Sequence, residues 1–224
     1  SIYTGSASGG AVTSTAQSKY YGSSFYAVRG ATNNYTASDY IYRTGDSDLA
    51  FGTGSFCVEF WYRPGTFVQN STMFDSRHNS TDWPNATHGF QLFTNHNGDL
   101  VLRTGSGTII SASSKLTEGE WAHLAVTGDY SGSSRTIRVY CNGILAGSAT
   151  NNNDFSEGRF ALGSAANNGE GSNGYYADLR IYKGVAKYTS NFTVPDKPAG
   201  GVNQFHLKFA DNSSNAALGT DSSG

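Results

Sequence analysis

Short apolar runs with a period of two dominate this chain from about residue 39 onward. The strongest is Phe56 to Tyr62, where Phe56, Val58 and Phe60 alternate with Cys57, Glu59 and Trp61 before Arg63-Pro-Gly65 closes the run. Similar runs are Tyr40 to Arg43, Thr72 to Ser76, Gly89 to Asn95, Asp99 to Thr104, Thr108 to Ser111 and Trp121 to Asp129. Arg135 to Cys141, Ile144 to Ser148, Phe160 to Gly163, Tyr175 to Tyr182 and Gln204 to Phe209 continue the series. Each is bounded by Gly, Asn, Asp, Ser or Pro, the residues that turn a chain. His96-Asn-Gly98 and Asn142-Gly143 predict hairpins, because Asn-Gly tolerates a positive φ at both turn positions. No ten-residue segment carries a capped 3.6 period; a single helical turn is expected around Lys183 to Lys187.

These elements predict an all-β fold, a two-sheet antiparallel sandwich of the jelly-roll kind. Residues 1–38 are rich in Gly, Ser, Thr and Asn, and read as an N-terminal arm or connection. The sandwich is expected over 39–198. Residues 199–224 read as a further strand and linker, the opening of another module. The chain starts at Ser1 and its only methionine is Met73, so a piece of a longer protein or a processed start is expected.

Composition narrows the function classes. Charged residues are 14% of 224, aromatics 13%, and the net charge is −2. No basic stripe suits nucleic acid, and no apolar run is long enough to span a membrane as a helix. Cys57 shares a face with Glu59 and Trp61, and Cys141 with Ile137 and Val139, so both read as buried or half-buried free thiols. Whether they pair needs their Cα separation, which spacing does not give.

Four blocks resemble the concanavalin A-like, laminin-G-type jelly rolls. They are Leu49-Ala-Phe-Gly-Thr-Gly-Ser-Phe-Cys-Val-Glu-Phe-Trp-Tyr-Arg-Pro64; Met73-Phe-Asp-Ser-Arg77 with Gly89-Phe-Gln-Leu-Phe93; Gly119-Glu-Trp-Ala-His-Leu-Ala-Val-Thr127 with Ile137-Arg-Val-Tyr-Cys-Asn-Gly143; and Ala161-Leu-Gly-Ser164 with Gly174 to Pro195. The last includes Asp178-Leu-Arg-Ile-Tyr182. Similar modules occur in structural proteins of tailed phages. The resemblance therefore implies a non-enzymatic virion protein, a fibre or a capsid knob or decoration, displayed outside the particle and made in the host cytoplasm. Its implied partners are other virion proteins, further copies of itself with a trimer as the first expectation, and host surface polysaccharide. The alternative is a secreted cellular lectin module, with or without calcium. In place of the family's Asp-Glu pair just before the Leu-Arg-Ile of the last strand this chain has Ala177 and Asp178, which weakens a metal site there.

The candidate chemistry is weighed on the residues themselves. Glycoside hydrolysis needs two carboxylates across a cleft; Glu59 has no acid at 57 or 61, and Glu118 and Glu120 belong to a turn, so no enzyme is expected. His78, His88 and His96 lack the spacing of ligands on one strand face and read as loop histidines. Asn151-Asn-Asn-Asp154 and Asn167-Asn-Gly-Glu170 hold oxygen donors of the kind calcium takes, without an EF-hand order; polar turns are the expected reading and no cofactor is assigned. The best sugar-binding patch is Asp82, Trp83 and Asn85 with His88, an aromatic flanked by polar groups in the insertion from Asn79 to Thr87. Trp61 and Trp121 fall within strands and read as sheet packing.

Overall fold

The computed structural model describes residues 6–8, 11–29, 37–77, 88–196 and 205–211, and of the remainder 213, 217–220 and 222. Its strands are β1 Ser6–Ser8, β2 Val12–Ser14, β3 Ser24–Arg29, β4 Ala37–Arg43, β5 Phe56–Pro64, β6 Ser71–Asp75, β7 Phe90–Thr94 and β8 Leu100–Thr104. They continue as β9 Gly107–Ala112, β10 Ala122–Ser131, β11 Ser134–Cys141, β12 Ile144–Thr150, β13 Phe160–Leu162, β14 Gly174–Lys183 and β15 Phe205–Leu207. All pairings are antiparallel, as the alternating runs require.

Two sheets face each other. The first runs β12-β11-β10-β5-β14; the far edge of β14 then takes β15 beside Leu179 to Ile181 and β3 beside Gly174 to Tyr176. The second runs β4-β13-β6-β7-β8-β9, with β1 also on β4. β3 continues across to β4, with Val28 opposite Asp39, and joins the sheets. The inward residues of β5, Phe56, Val58, Phe60 and Tyr62, meet Phe74, Phe90, Leu92 and Phe160 of the second sheet in one core. Aromatic rings bridge the layers: Phe56 to Phe90 at 5.5 Å and Phe60 to Phe74 at 6.5 Å between centroids, both stacked.

Structure and sequence pattern differ in places. Residues 1–38, read as an arm, supply β1, β2 and β3, and Phe25 and Ala27 lie in the core. Phe205, Leu207 and Leu218 from the C-terminal stretch enter the same core. No helical turn forms at Lys183 to Lys187; the chain leaves β14 through a bend at Gly184, whose φ is 82°. Short 3-10 turns occur at Ser47–Leu49, capped by the Asp46 carboxylate on the Asp48 amide, and at Ala217–Gly219. Asn142 and Gly143 both take positive φ, 51° and 79°. At His96 to Gly98 only Gly98 does, because the Asn95 side chain accepts from the Asn97 and Asp99 amides and sets an Asx turn instead. Cys57 and Cys141 are both free and buried, on opposite faces of the first sheet, so the sheet itself separates them.

Arg135 closes one end of the sandwich. Its side chain is 0% exposed, and its guanidinium donates to the carbonyls of Gly52 (2.9 Å), Asn151 (3.2 Å) and Asn153. It also sits 4.0 Å from the Phe155 ring centroid. Burial lowers its pKa to about 10 against the charge of Asp154. Three carbonyls in fixed directions suit the guanidinium fork. Arg135→Met should cost about 3 kcal/mol and lower Tm by roughly 6–12 °C, because one buried and two half-buried carbonyls lose a donor, the Gly52 carbonyl keeping only the Phe155 amide. Arg135→Lys should recover less than half of that; full recovery in thermal melts would refute the role of the fork.

Candidate functional site

The outward residues of the first sheet are not all solvent-facing. Register places Glu59 between Ala125 on β10 and Arg180 on β14, Trp61 between His123 and Ala177, and Cys57 between Thr127 and Tyr182. A β-bulge between Ala177 and Arg180, with Asp178 at φ 56°, adds a residue to β14. It puts the Asp178 carboxylate beside Arg180 on this outer face while Leu179 stays in the core. The predicted extended exit, residues 184–195, then doubles back over the face as a strap.

The strap is pinned along its length. Thr127 and Tyr140 hydroxyls donate to the Tyr188 carbonyl, at 3.0 and 3.4 Å. The Phe192 amide donates to Gly143 O at 2.9 Å, and the Leu145 amide to the Asn191 side chain at 2.8 Å. Gly143 is required here twice: its φ is positive, and a Cβ would overlap the Phe192 carbonyl. Tyr188 and Phe192 stack 3.5 Å apart.

Beneath the strap lie two compensated carboxylates. Glu59, 4% exposed, accepts from Tyr182 (3.0 Å), Tyr188 (2.7 Å) and Lys187, and its Oε2 lies 3.3 Å from His123 Nε2. Ala125 directly opposite leaves the space through which Lys187 and Tyr188 reach it. Burial alone would raise the Glu59 pKa; the His123 hydrogen bond and the Lys187 charge outweigh it and hold the group at about 2. Asp178 accepts from Tyr21 (3.0 Å) and Arg180 (3.2 Å), with His206 Nε2 at 2.6 Å. Burial opposes its ionisation too, and the His206 hydrogen bond and Arg180 charge prevail, so its pKa is lowered.

Between the two carboxylates runs a crevice lined by Tyr20, Glu59, Trp61, His123, Asp178, Arg180, Tyr188 and Pro195. Partly open to solvent, it has space of about 10 Å³, enough for one water. Tyr20 from the N-terminal stretch stands edge-on to Trp61 at 5.8 Å, and its hydroxyl donates to Pro195 O at 2.9 Å. Lys19 Nζ rests 3.8 Å from the Trp61 ring centroid. His123 is 5% exposed, and its Nδ1 is a buried nitrogen without a hydrogen-bond partner among the described residues.

Trp61 thus packs on the sheet face, as its strand position implies, and Trp121 lies half-buried just before β10. Asp82, Trp83 and Asn85 fall outside the described residues, as does His78. His88 is exposed, with Nδ1 3.4 Å from Glu157 Oε1, and His96 Nδ1 is 2.9 Å from the Gln69 side chain, so these two histidines do not converge. Among the described residues no group of three His, Cys, Asp or Glu is placed to hold a metal. Glu59, His123, Asp178 and His206 were not legible as a site. On alternating strands they occupy positions that normally face water, and the segments that bury them come from distant parts of the chain.

The sequence profile of the concanavalin A-like lectin/glucanases superfamily matches residues 31–188, and the chain belongs to this family. Solved structures resemble it at low identity. The CBM40 module of a Ruminococcus gnavus IT-sialidase, bound to α2,3-sialyllactose, aligns with TM-score 0.50 and 8% identity over 66% of this chain and 91% of its own. A heptameric SAP-like pentraxin from Limulus polyphemus gives 0.48 and 17% over 78% and 76%. A putative carbohydrate-binding protein from Bacteroides ovatus gives 0.47 and 15% over 93% and 52%. Among curated proteins none matches the sequence.

Glu59 has a folded pKa below its ordinary value of 4.5, so its contribution to stability is full above about pH 4.5 and disappears as pH falls toward 2. The shift corresponds to on the order of 3 kcal/mol. Glu59→Gln should lose about that much at pH 7 and show a flatter stability profile between pH 5 and 2 in urea titrations. An unchanged profile would mean that the strap is not held by this charge.

Proposed function

We propose that the chain is a non-enzymatic, lectin-like carbohydrate-binding module. The observation that carries this reading is the crevice on the outer sheet face, where the aromatic rings of Tyr20, Trp61 and Tyr188 stand beside the polar side chains of His123, Asp178 and Arg180. Sugars offer that combination of apolar ring faces and hydroxyls. The Ruminococcus gnavus module, which carries sialyllactose, gives a precedent on a similar fold. The absence of catalysis is supported by the state of the two carboxylates. Both are held ionised by several donors, whereas a glycosidase acid is kept protonated.

The finer reading is that the module works on a tailed-phage virion, in a fibre or in a capsid knob or decoration, associated with other virion proteins and with copies of itself. It rests on the four sequence blocks. A secreted cellular lectin has the same carbohydrate chemistry and is the alternative; capsid and tail genes beside its own would favour the virion. Trp83, with Asp82, Asn85 and His88, is the sugar-binding patch that the sequence offers for this role.

The test is binding of the purified chain to host cells and their extracted surface polysaccharide, with calcium and with chelator. Saturable binding is expected, weakened at least about ten-fold by Trp83→Ala if that loop supplies an aromatic platform. Release of reducing sugar would overturn the non-enzymatic assignment, and no binding at high protein concentration would leave only a scaffold role.

A further inference from the structure

Alternation puts one more row of side chains on the outer face of the first sheet, next to the crevice. Tyr62, Tyr176 and Phe25 belong to the core, so Arg63, Tyr175 and Tyr26 face outward, and register sets them side by side on β5, β14 and β3. Val12 on β2 stands opposite Tyr26 at one end. Trp121, one residue before the Ala122–Tyr62 pair, falls next to Arg63 at the other. With neighbouring strands about 4.8 Å apart, the row from Trp121 to Val12 is about 19 Å long, the length of a short oligosaccharide. The chain itself covers the two preceding rows: Lys187 and Tyr188 of the strap lie over Glu59, and Lys19 and Tyr20 over Trp61. The described residues leave this row open, with Val12 46% exposed and the other four half-buried.

The polar groups of the row are not used by the fold. The Tyr26 and Tyr175 rings stack on each other, 4.5 Å between centroids and 26° between planes, which leaves their edges and hydroxyls to a ligand. Among the described residues neither hydroxyl makes a hydrogen bond, and the Arg63 guanidinium makes neither a hydrogen bond nor an ion pair. Gly119 approaches it, a Cβ there lying 3.6 Å from Nη2, but Glu118 is turned to the Phe67 amide and Glu120 stays outside ion-pair distance. Resting on the carbohydrate reading above, we propose that this row binds an anionic glycan, an oxyanion of the glycan (carboxylate or sulfate) on the Arg63 guanidinium and sugar hydroxyls on Tyr175 and Tyr26. The planar guanidinium pairs with two oxygens of such a group at once. Apolar faces of the sugar rings meet Trp121 at one end and Val12 at the other.

The experiment is calorimetric titration of the full chain with two matched pairs: oligogalacturonate beside its carboxyl-reduced form, and a sulfated galactan oligosaccharide beside its desulfated form. At least one anionic member should bind roughly 5- to 10-fold tighter than its neutral partner, a preference that fades with salt. The pair that shows it identifies the anion. Arg63→Gln should abolish the preference and leave neutral binding unchanged. Tyr26→Phe combined with Tyr175→Phe keeps the stacked rings and should weaken both members of a pair alike, by roughly 3- to 10-fold. Equal binding of anionic and neutral forms, a preference that survives in Arg63→Gln, or full affinity in the tyrosine variant would overturn the proposal while sparing the carbohydrate reading. Failure of every oligomer and of host polysaccharide to bind would remove both.

Discussion

Glu59 carries a full negative charge in the middle of β5, a strand whose other residues are apolar or aromatic over most of its length. A carboxylate removed from water is costly unless donors surround it. Here they come from three directions: His123 from the neighbouring strand, Tyr182 from β14, and Lys187 with Tyr188 from the strap. The strap therefore cannot lie elsewhere without leaving the charge exposed to an apolar surface or the lysine without its counter-ion. Much of the outer face follows from this. The strap covers Cys57 and Tyr140, its end supplies Pro195 to the crevice, and Pro195 in turn receives the Tyr20 hydroxyl that fixes the N-terminal stretch.

Asp178 repeats the arrangement with different donors. Tyr21 and His206 bring the two ends of the described chain to one bulged residue of β14. The left-handed backbone of Asp178 is an uncommon conformation for a residue with a side chain, and the carboxylate it turns outward is met by Arg180, Tyr21 and His206. The result is a rigid polar layer outside the hydrophobic core, with its charges oriented in advance. A ligand at the crevice mouth would not have to reorganise it.

Alternation made the strands of the sandwich readable because one face of each is buried and Gly, Asn or Pro marks its ends. The same alternation hid the site. His123 in Trp121 to Asp129 and Glu59 in Phe56 to Tyr62 occupy outward positions, where a polar residue ordinarily means water. A usable signal lay downstream: Tyr188 and Phe192, four residues apart in a segment with no helical caps, are aromatic groups that an extended exit has to bury against something. β1 to β3 were missed for another reason. β1 and β2 are rich in small polar residues and form on the edges of β4 and β3 rather than by their own propensity, whereas β3, Ser-Phe-Tyr-Ala-Val-Arg, has strand-forming residues but stands alone in a stretch of Gly, Ser, Thr and Asn. Asn142-Gly143 marks Gly143 as a turn residue; its second role, admitting the strap's backbone, depends on a contact no local pattern encodes.

The position of β14 has a consequence for how the molecule is assembled. β14 lies between β5 and β3 in the finished sheet, yet it is among the last strands in the chain. β3 pairs with it across about 150 residues. During synthesis β3 therefore emerges long before its partner exists, and β5 waits nearly as long for one of its two neighbours. Pairings of such long range delay folding, since the loop must close before any contact rewards it. The Gly-, Ser- and Thr-rich character of residues 1–38 suits that interval. Until then β3 has only β2 and the start of β4 beside it, and Phe25 is covered only once Tyr176 arrives to stack on it.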